Sequence, residues 1–311
     1  MKKALLVFFS IILLSIGFIQ PQPANAKVMW GSIEMKKGQI GKVTMLKDVD
    51  IYVKKGDSYS VTGKAKKNQV NRVYTNQNGY LGIGGGKFIK NDKSVKYETP
   101  SKSRLQALNG VKIVKKNSLD SSLIYPQVSG LVNKDAENKI NNKLYSVAVK
   151  TNNSKIAFDK AEKEARADWD KSEFGEFRDW KFDPSFEIHY NQENRLSILY
   201  RDYVYMGAAH GFSEIYTLNF DANTGNIIDL LTVIKGKNKI VQNYVFKDLL
   251  NQQKRGQESL LINLVNEVPI NDNGRPWVFN SKGIKIFFHE YEVAPYSSGN
   301  PEVVVPESVY K

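Results

Sequence analysis

The chain has 311 residues, with 45 Lys and Arg against 32 Asp and Glu, a formal net charge of +13 and no cysteine. The missing thiols exclude disulfides, thiolate metal sites, cysteine nucleophiles and lipid attachment to an N-terminal cysteine, so the chain is held together by its core rather than by cross-links. The basic excess sits at one end: residues 27–116 carry 20 Lys and Arg against 6 Asp and Glu, and residues 117–311 carry 23 against 26. That asymmetry of sign marks two units with different partners.

Residues 1–26 have the pattern of a secretory signal. Lys2 and Lys3 precede a mostly apolar run from Ala4 to Ile19, and Ala24-Asn-Ala26 supplies a small-x-small cleavage pattern, so the cut is expected before Lys27. No later stretch reaches the roughly 18 apolar residues that a membrane span needs. The expectation is a secreted protein, extracellular or wall-associated, with no transmembrane anchor after cleavage.

The first unit, residues 27–95, is a series of short strand candidates. They are Val43–Leu46, Val49–Val53, Ser58–Val61, Asn71–Tyr74 and Gly79–Ile83, divided by Lys-Lys-Gly-Asp, Gly-Lys-Ala-Lys-Lys-Asn and Asn-Gln-Asn-Gly turns. Short strands with regular turn signals predict a small β-barrel. Their order, closed by Gly84-Gly-Gly-Lys-Phe-Ile-Lys90, resembles a bacterial SH3-like domain of the kind attached to cell-wall proteins. The glycine run superficially resembles a phosphate loop but lacks its spacing and the Ser or Thr after Lys, which removes nucleotide binding. A basic surface attracts nucleic acid and anionic polymers alike. The export signal argues against nucleic acid and for the anionic polymers of a cell wall.

Residues 96–110, with Thr99-Pro-Ser and Asn109-Gly110, are expected to form a linker. The second unit, residues 111–311, opens with a strand at Val111–Val114. Asn133 can cap a helix whose Ala136, Ile140, Leu144 and Val147 share one face, and a second, highly charged helix is expected from Ile156 to about Lys171. Strands follow at Phe186–Tyr190 and Arg195–Tyr205, a third helix over Lys239–Gln253, and a hairpin of Trp277–Phe279 with Ile284–Phe288. Without regular alternation of strands and helices, the predicted class is α+β, with a mixed, largely antiparallel sheet, about three helices and the small N-terminal barrel.

Tyr203 to Gly225 holds two runs rich in β-branched and aromatic residues on either side of Gly207-Ala-Ala-His-Gly211. From Glu214 to Phe220 the residues alternate with a period of two, as in a strand with one buried face. So few side chains in the middle mark a sheet corner, or a loop whose bare backbone a partner approaches. Sequence physics alone favours the corner, with His210 a satisfied polar residue. An exposed aromatic patch around Trp169, Phe174, Phe177 and Trp180 is the other contact candidate.

Gly207-Ala-Ala-His-Gly211, the alternating strand and Asn219-Phe-Asp-x-x-Thr-Gly225 together resemble a family of bacterial extracytoplasmic domains. They form the lysozyme-sensing ectodomain of certain membrane anti-sigma factors and the non-catalytic N-terminal region of some peptidoglycan deacetylases. Tyr125-Pro-Gln-Val-Ser-Gly-Leu-Val-Asn133 resembles the family's opening, and Gly283 to Gly299 with Val303-Val-Val-Pro306 its close. The resemblance covers about residues 111–311. It implies a lysozyme-like hydrolase or peptidoglycan as partner, the hydrolase ranked first. It also implies that the deacetylases' catalytic domain and the anti-sigma factors' sigma-binding segment are missing here, so no catalytic residue is assigned.

The residues agree with that. His189, His210 and His289 lack the spacing of a helical zinc motif, and no cofactor or metal is expected. Carboxylates are plentiful at Asp168, Asp170, Glu173, Glu176, Glu290 and Glu292, but a glycosidase needs two facing each other across a cleft. The expected function is a secreted, non-enzymatic envelope-binding protein whose contacts lie at Gly207, Ala208, Ala209, His210, Gly211, Trp169, Phe174 and Trp180. The alternative is a peptidoglycan-acting enzyme or enzyme accessory with a site assembled across the second unit.

Overall fold

The computed structural model describes residues 28–117, 123–169, 175–257, 259–270 and 274–311. The expected leader and the contact candidate Phe174 lie outside these residues. No helix among them is long and apolar enough to cross a membrane.

Ten short strands build the N-terminal unit: β1 (Met29–Trp30), β2 (Ile33–Glu34), β3 (Gly41–Met45), β4 (Val49–Lys55), β5 (Ser58–Ala65), β6 (Val70–Val73), β7 (Thr75–Gln77), β8 (Tyr80–Gly84), β9 (Lys87–Lys90) and β10 (Val95–Glu98). They pair as a β1-β2 hairpin, a three-stranded sheet β10-β3-β6 and a five-stranded sheet β5-β4-β9-β8-β7. Val43 and Met45 from one sheet meet Leu81 and Ile89 from the other in a buried core. The alternation of apolar residues in β3 puts Val43 and Met45 on one face, and Leu81 of β8 and Ile89 of β9, paired across their ladder, face them. The ladders remain separate sheets around this core, so no closed barrel forms among the described residues.

The stretch expected to be a linker holds a helix. Helix α1 (Lys102–Asn109) is capped by Ser101, whose Oγ accepts from the Arg104 N–H at 3.2 Å. Gln106 holds it to the second unit, accepting from the Val132 N–H and donating to Asn194 Oδ1, both at 3.0 Å. On the other side, the Arg104 guanidinium lies 5.7 Å from the centre of the Trp30 ring. Pro and Ser gave this segment its loop character, but Ser101 serves as a helix start.

In the second unit β11 (Lys112–Asn117) pairs with β12 (Ile124–Ser129), and α2 (Lys134–Trp169) is one helix of 36 residues where two were expected. Asn133 caps it through Oδ1, at 3.0 Å from the Asp135 N–H. The polar stretch Thr151-Asn-Asn-Ser154 does not break it. Asn152 is buried, and a Lys155–Asp159 pair one turn on adds support. Next come β13 (Lys181–Gln192), β14 (Arg195–Tyr205) and β15 (Phe212–Asp221) in one antiparallel sheet, then α3 (Leu230–Ile234) and α4 (Asn238–Lys254). Strands β16 (Trp277–Asn280), β17 (Gly283–Phe287) and β18 (Glu302–Pro306) form a second sheet, and α5 (Glu307–Tyr310) follows. The class is therefore α+β with antiparallel sheets, and the described residues hold five helices rather than about three.

Both faces of the β13–β15 sheet are covered. Leu196, Ile198, Tyr200 and Phe220 pack against Ile140 and Leu144 of α2. On the opposite face Leu199 and Ile215 meet Val278 and Phe287 of the second sheet. That sheet in turn buries Phe279, Ile284 and Ile286 against Val241, Val245 and Leu249 of α4, the helix face that the sequence predicts.

The two sheets are also joined by hydrogen bonds. Ser197 Oγ accepts from the Phe279 N–H at 3.0 Å, Thr217 Oγ1 from the Trp277 N–H at 3.1 Å, and Asn219 Nδ2 donates to the Trp277 carbonyl at 2.8 Å. These side chains satisfy the free edge of β16, which would otherwise be buried without partners.

Candidate functional site

Residues 206–211 form the loop between β14 and β15, at one end of a long hairpin. They are a connection beyond the ladder, not a bulge within it. Beside the loop, α2 ends at Trp169, and residues 175–180 lead into β13. These three segments border an open groove of about 650 Å³.

Aromatic rings line one wall. Trp169 and Phe177 meet edge to face at 6.0 Å between centroids, and Phe177 and Trp180 lie near-parallel at 6.2 Å. Behind them Phe158 packs 5.6 Å from both Trp180 and Phe182, and all of these rings are half-buried. Polar contacts hold the wall in place. The Trp169 indole N–H donates to the Gly175 carbonyl at 2.8 Å, and the backbone N–H of Trp180 donates to Glu162 Oε1 at 3.1 Å. Arg166 bonds Glu162 and Asp179 while its guanidinium covers the Phe177 ring at 4.4 Å.

Met206, Gly207, Ala208 and Ala209 border the groove opposite Arg178. The Arg178 guanidinium reaches the carbonyls of Gly207 and Ala208 at 3.5 and 3.4 Å. Gly207 takes φ +76°, a backbone conformation that glycine adopts without cost. Ala208 and Ala209 are exposed, so only methyl groups separate the loop backbone from anything entering the groove.

The structure thus brings Trp169 and Trp180 together with Gly207, Ala208 and Ala209. It does not bring His210 and Gly211 to the same place. His210 turns to another cluster, stacking on Tyr296 at 3.9 Å, with Nε2 3.3 Å from the Tyr291 hydroxyl and Nδ1 2.9 Å from the Gly211 carbonyl. Gly211 is buried within the domain. Sequence reasoning missed Arg178 and Met206 at the groove, and the Tyr291–Tyr296 pair beside His210. The only signal for the tyrosines was their place in the Gly283–Gly299 stretch that carries the family resemblance.

The remaining candidates are dispersed. His189 packs edge-on to Phe287 at 5.6 Å, and burial, aided by Lys285, lowers its pKa below the ordinary 6.5. Among the described residues no group of three His, Asp or Glu side chains is placed to hold a metal ion. Glu290 accepts from the Ser213 N–H at 3.1 Å, and Glu292 is engaged by Arg275. Glu176 borders the aromatic groove, while Asp170 and Glu173 lie outside the described residues.

Comparison with known proteins divides the second unit in two. Residues 113–213, from β11 to the start of β15, match the family described as Deacetylase PdaC. Residues 229–308, from α3 through β18, match the family described as Protein of unknown function (DUF3298). No curated protein matches the chain. Among solved structures, a DUF3298 family member from Bacteroides fragilis is 13% identical, with a TM-score of 0.47, over 64% of this chain and 89% of that one. A DUF3298 family protein from Pseudomonas aeruginosa is 12% identical, with a TM-score of 0.36 and the same two coverages. The aromatic groove, built from α2, the lead into β13 and the β14–β15 loop, lies within the part of the chain that is similar to the PdaC family.

Proposed function

We propose that the protein is an exported, non-enzymatic binding protein of the cell envelope. The basic N-terminal unit, SH3-like in its order of strands, holds it to anionic wall polymers. The groove beside Gly207–Ala209 docks a wall hydrolase of the lysozyme type. The groove's ring wall carries this reading. Trp169, Phe177 and Trp180 are half-buried and held by ring contacts with one another, by the Trp169 indole bond and by Arg166 over Phe177, so they lose little freedom on binding, and rigid aromatic and arginine anchors dominate protein–protein hot spots. The similarity to the family described as Deacetylase PdaC, together with the resemblance to lysozyme-sensing ectodomains, supports an envelope role. A protein of net charge about −3 over residues 117–311 does not repel a basic hydrolase.

Biolayer interferometry with the full chain, a panel of lysozymes and purified wall fragments tests the proposal. Saturable lysozyme binding is expected, weakened about 30-fold by Trp180→Ala, as for a hot-spot residue. Ala208→Arg changes an exposed methyl on the groove rim and should weaken binding without lowering the melting temperature. Binding to none of the lysozymes, or binding indifferent to both substitutions, would remove this role. Release of soluble fragments from the walls would favour the enzymatic alternative instead.

A further inference from the structure

A second cleft, separate from the aromatic groove, lies between the middle of α2 and the β14–β15 ladder. Its volume is about 310 Å³, at the small end of the range for small-molecule sites. Asp202 and Glu214 stand directly opposite each other on β14 and β15, Asp202 half-buried at its base and Glu214 exposed beside it. Lys143, Lys150 and Thr151 line it from α2, and Tyr216 from β15.

Four charged groups of both signs converge here without neutralising one another. Among the described residues no ion pair engages Asp202, Glu214, Lys143 or Lys150. The lysines and Glu214 are exposed at the rim, whereas Asp202 is half-buried. Burial, and then the facing Glu214, raise the Asp202 pKa above its ordinary value, while Lys150 opposes them. An incoming cation would relieve that arrangement.

A neighbouring gap shares part of the same wall. Tyr200 is only 5% exposed, and its hydroxyl has no hydrogen-bond partner. Its ring stacks on Tyr216 at 4.9 Å and 3°, and it borders a gap that shares Val147, Thr151 and Asp202 with the cleft. A buried hydroxyl without a partner costs roughly 1–3 kcal/mol; Tyr200 lines the neighbouring gap rather than the cleft, and its stack on Tyr216 holds that wall of the cleft rigid.

We propose that this cleft binds a small zwitterion, an amino acid or short peptide, with its ammonium between Asp202 and Glu214 and its carboxylate facing Lys143 and Lys150. The depth of the groups sets the orientation. Asp202 is half-buried on the sheet, whereas the ammonium groups stand on long, flexible stems at the rim, so the ligand's cation goes in first, against Asp202. Val147 and Leu218 offer apolar contact to the carbon skeleton between its two charges.

Titration calorimetry of the full chain with dialanine, propylamine and propionate provides the test. Dialanine is expected to bind saturably, and each single-charge probe at least about tenfold more weakly, since it forgoes one charge-assisted contact. Asp202→Asn and Lys150→Met should each weaken dialanine binding by about tenfold. Lys150→Met, on an exposed helix face, should do so with an unchanged melting temperature, which guards against misfolding of the Asp202 variant. The proposal is overturned if dialanine shows no saturable heat up to about 10 mM, well above a millimolar Kd. It is equally overturned if propylamine binds as tightly as dialanine, or if Lys150→Met leaves dialanine affinity unchanged.

Discussion

The backbone of Gly211 lies against the phenol of Tyr203: a Cβ at position 211 would come within 2.5 Å of Tyr203 Cζ and Oη and of the Val204 carbonyl oxygen. Close approach, not a left-handed backbone, requires glycine here, because Gly211 is absent from the positive-φ positions. Gly211→Val should therefore destabilise the domain by about 1–3 kcal/mol or more through overpacking. A calorimetric melt checks this, with Ala209→Val on the exposed side of the same loop expected to be nearly silent. An unchanged melting temperature in Gly211→Val would mean that the loop is free to move off Tyr203.

Legibility in the sequence followed how each residue is used. Strands β3, β4, β6 and β8, helix α4 and the β16–β17 hairpin were readable because their apolar residues are the ones they bury, whereas β5 was readable only from its composition, since its Val61 is 58% exposed. The strand β15 misled in one respect. Ile215, Thr217 and Asn219 look like an ordinary mixed face, yet Asn219 is 2% exposed and bonds the backbone of β16. A buried polar residue whose partner lies 58 residues away has no local signature. The same holds for the groove: Trp169, Trp180 and Ala208 were each identifiable, but their meeting depends on the length of α2, which its polar middle concealed.

Arg275 and Glu292 form a nearly buried ion pair, the arginine side chain 3% and the carboxylate 24% exposed. Burial pushes the Glu292 carboxyl up, but the Arg275 hydrogen bonds and the His289 N–H outweigh it, and its pKa lies below the ordinary 4.5. A carboxylate with a depressed folded pKa contributes stability that is present above its unfolded pKa and lost as pH falls through the folded value. Melting temperature should therefore drop below about pH 4.5 in the wild type. Glu292→Gln should be less stable at pH 7, by about 2–4 kcal/mol, and show a shallower acid slope. Parallel acid profiles for the two proteins would show that other carboxylates control the transition.

His210 is exposed and stacked on Tyr296, a contact worth about 0.5–1.5 kcal/mol when two rings pack this way. His210→Ala should lower stability by no more than that amount. Metal content, measured by elemental analysis, and release of fragments from purified walls should match the wild type. Loss of either with the fold intact would give His210 a chemical role and favour the enzymatic alternative.

Attachment to the wall should be governed by salt. The strands of the N-terminal unit carry lysines at positions 42, 54, 55, 64, 87, 90 and 96, and only some are offset by acids: Lys42 and Lys96 share Glu98 at 3.5 and 3.6 Å. Lys54, Lys55, Lys64, Lys87 and Lys90 have no ion pair among the described residues, and Lys54, Lys55, Lys64 and Lys87 belong to neighbouring strands of the five-stranded sheet. Exposed charges of this kind attract a polyanion over a screening length that shrinks from about 10 Å at 0.1 M salt to about 3 Å at 1 M. Sedimentation with isolated walls should show binding that falls steeply across that range. Reversing Lys54, Lys87 and Lys90 to Glu should mimic high salt at low ionic strength while leaving unchanged the lysozyme binding proposed for the groove of the second unit. Salt-insensitive sedimentation, or full binding by the triple variant, would transfer wall attachment to the second unit and end the electrostatic account of the first.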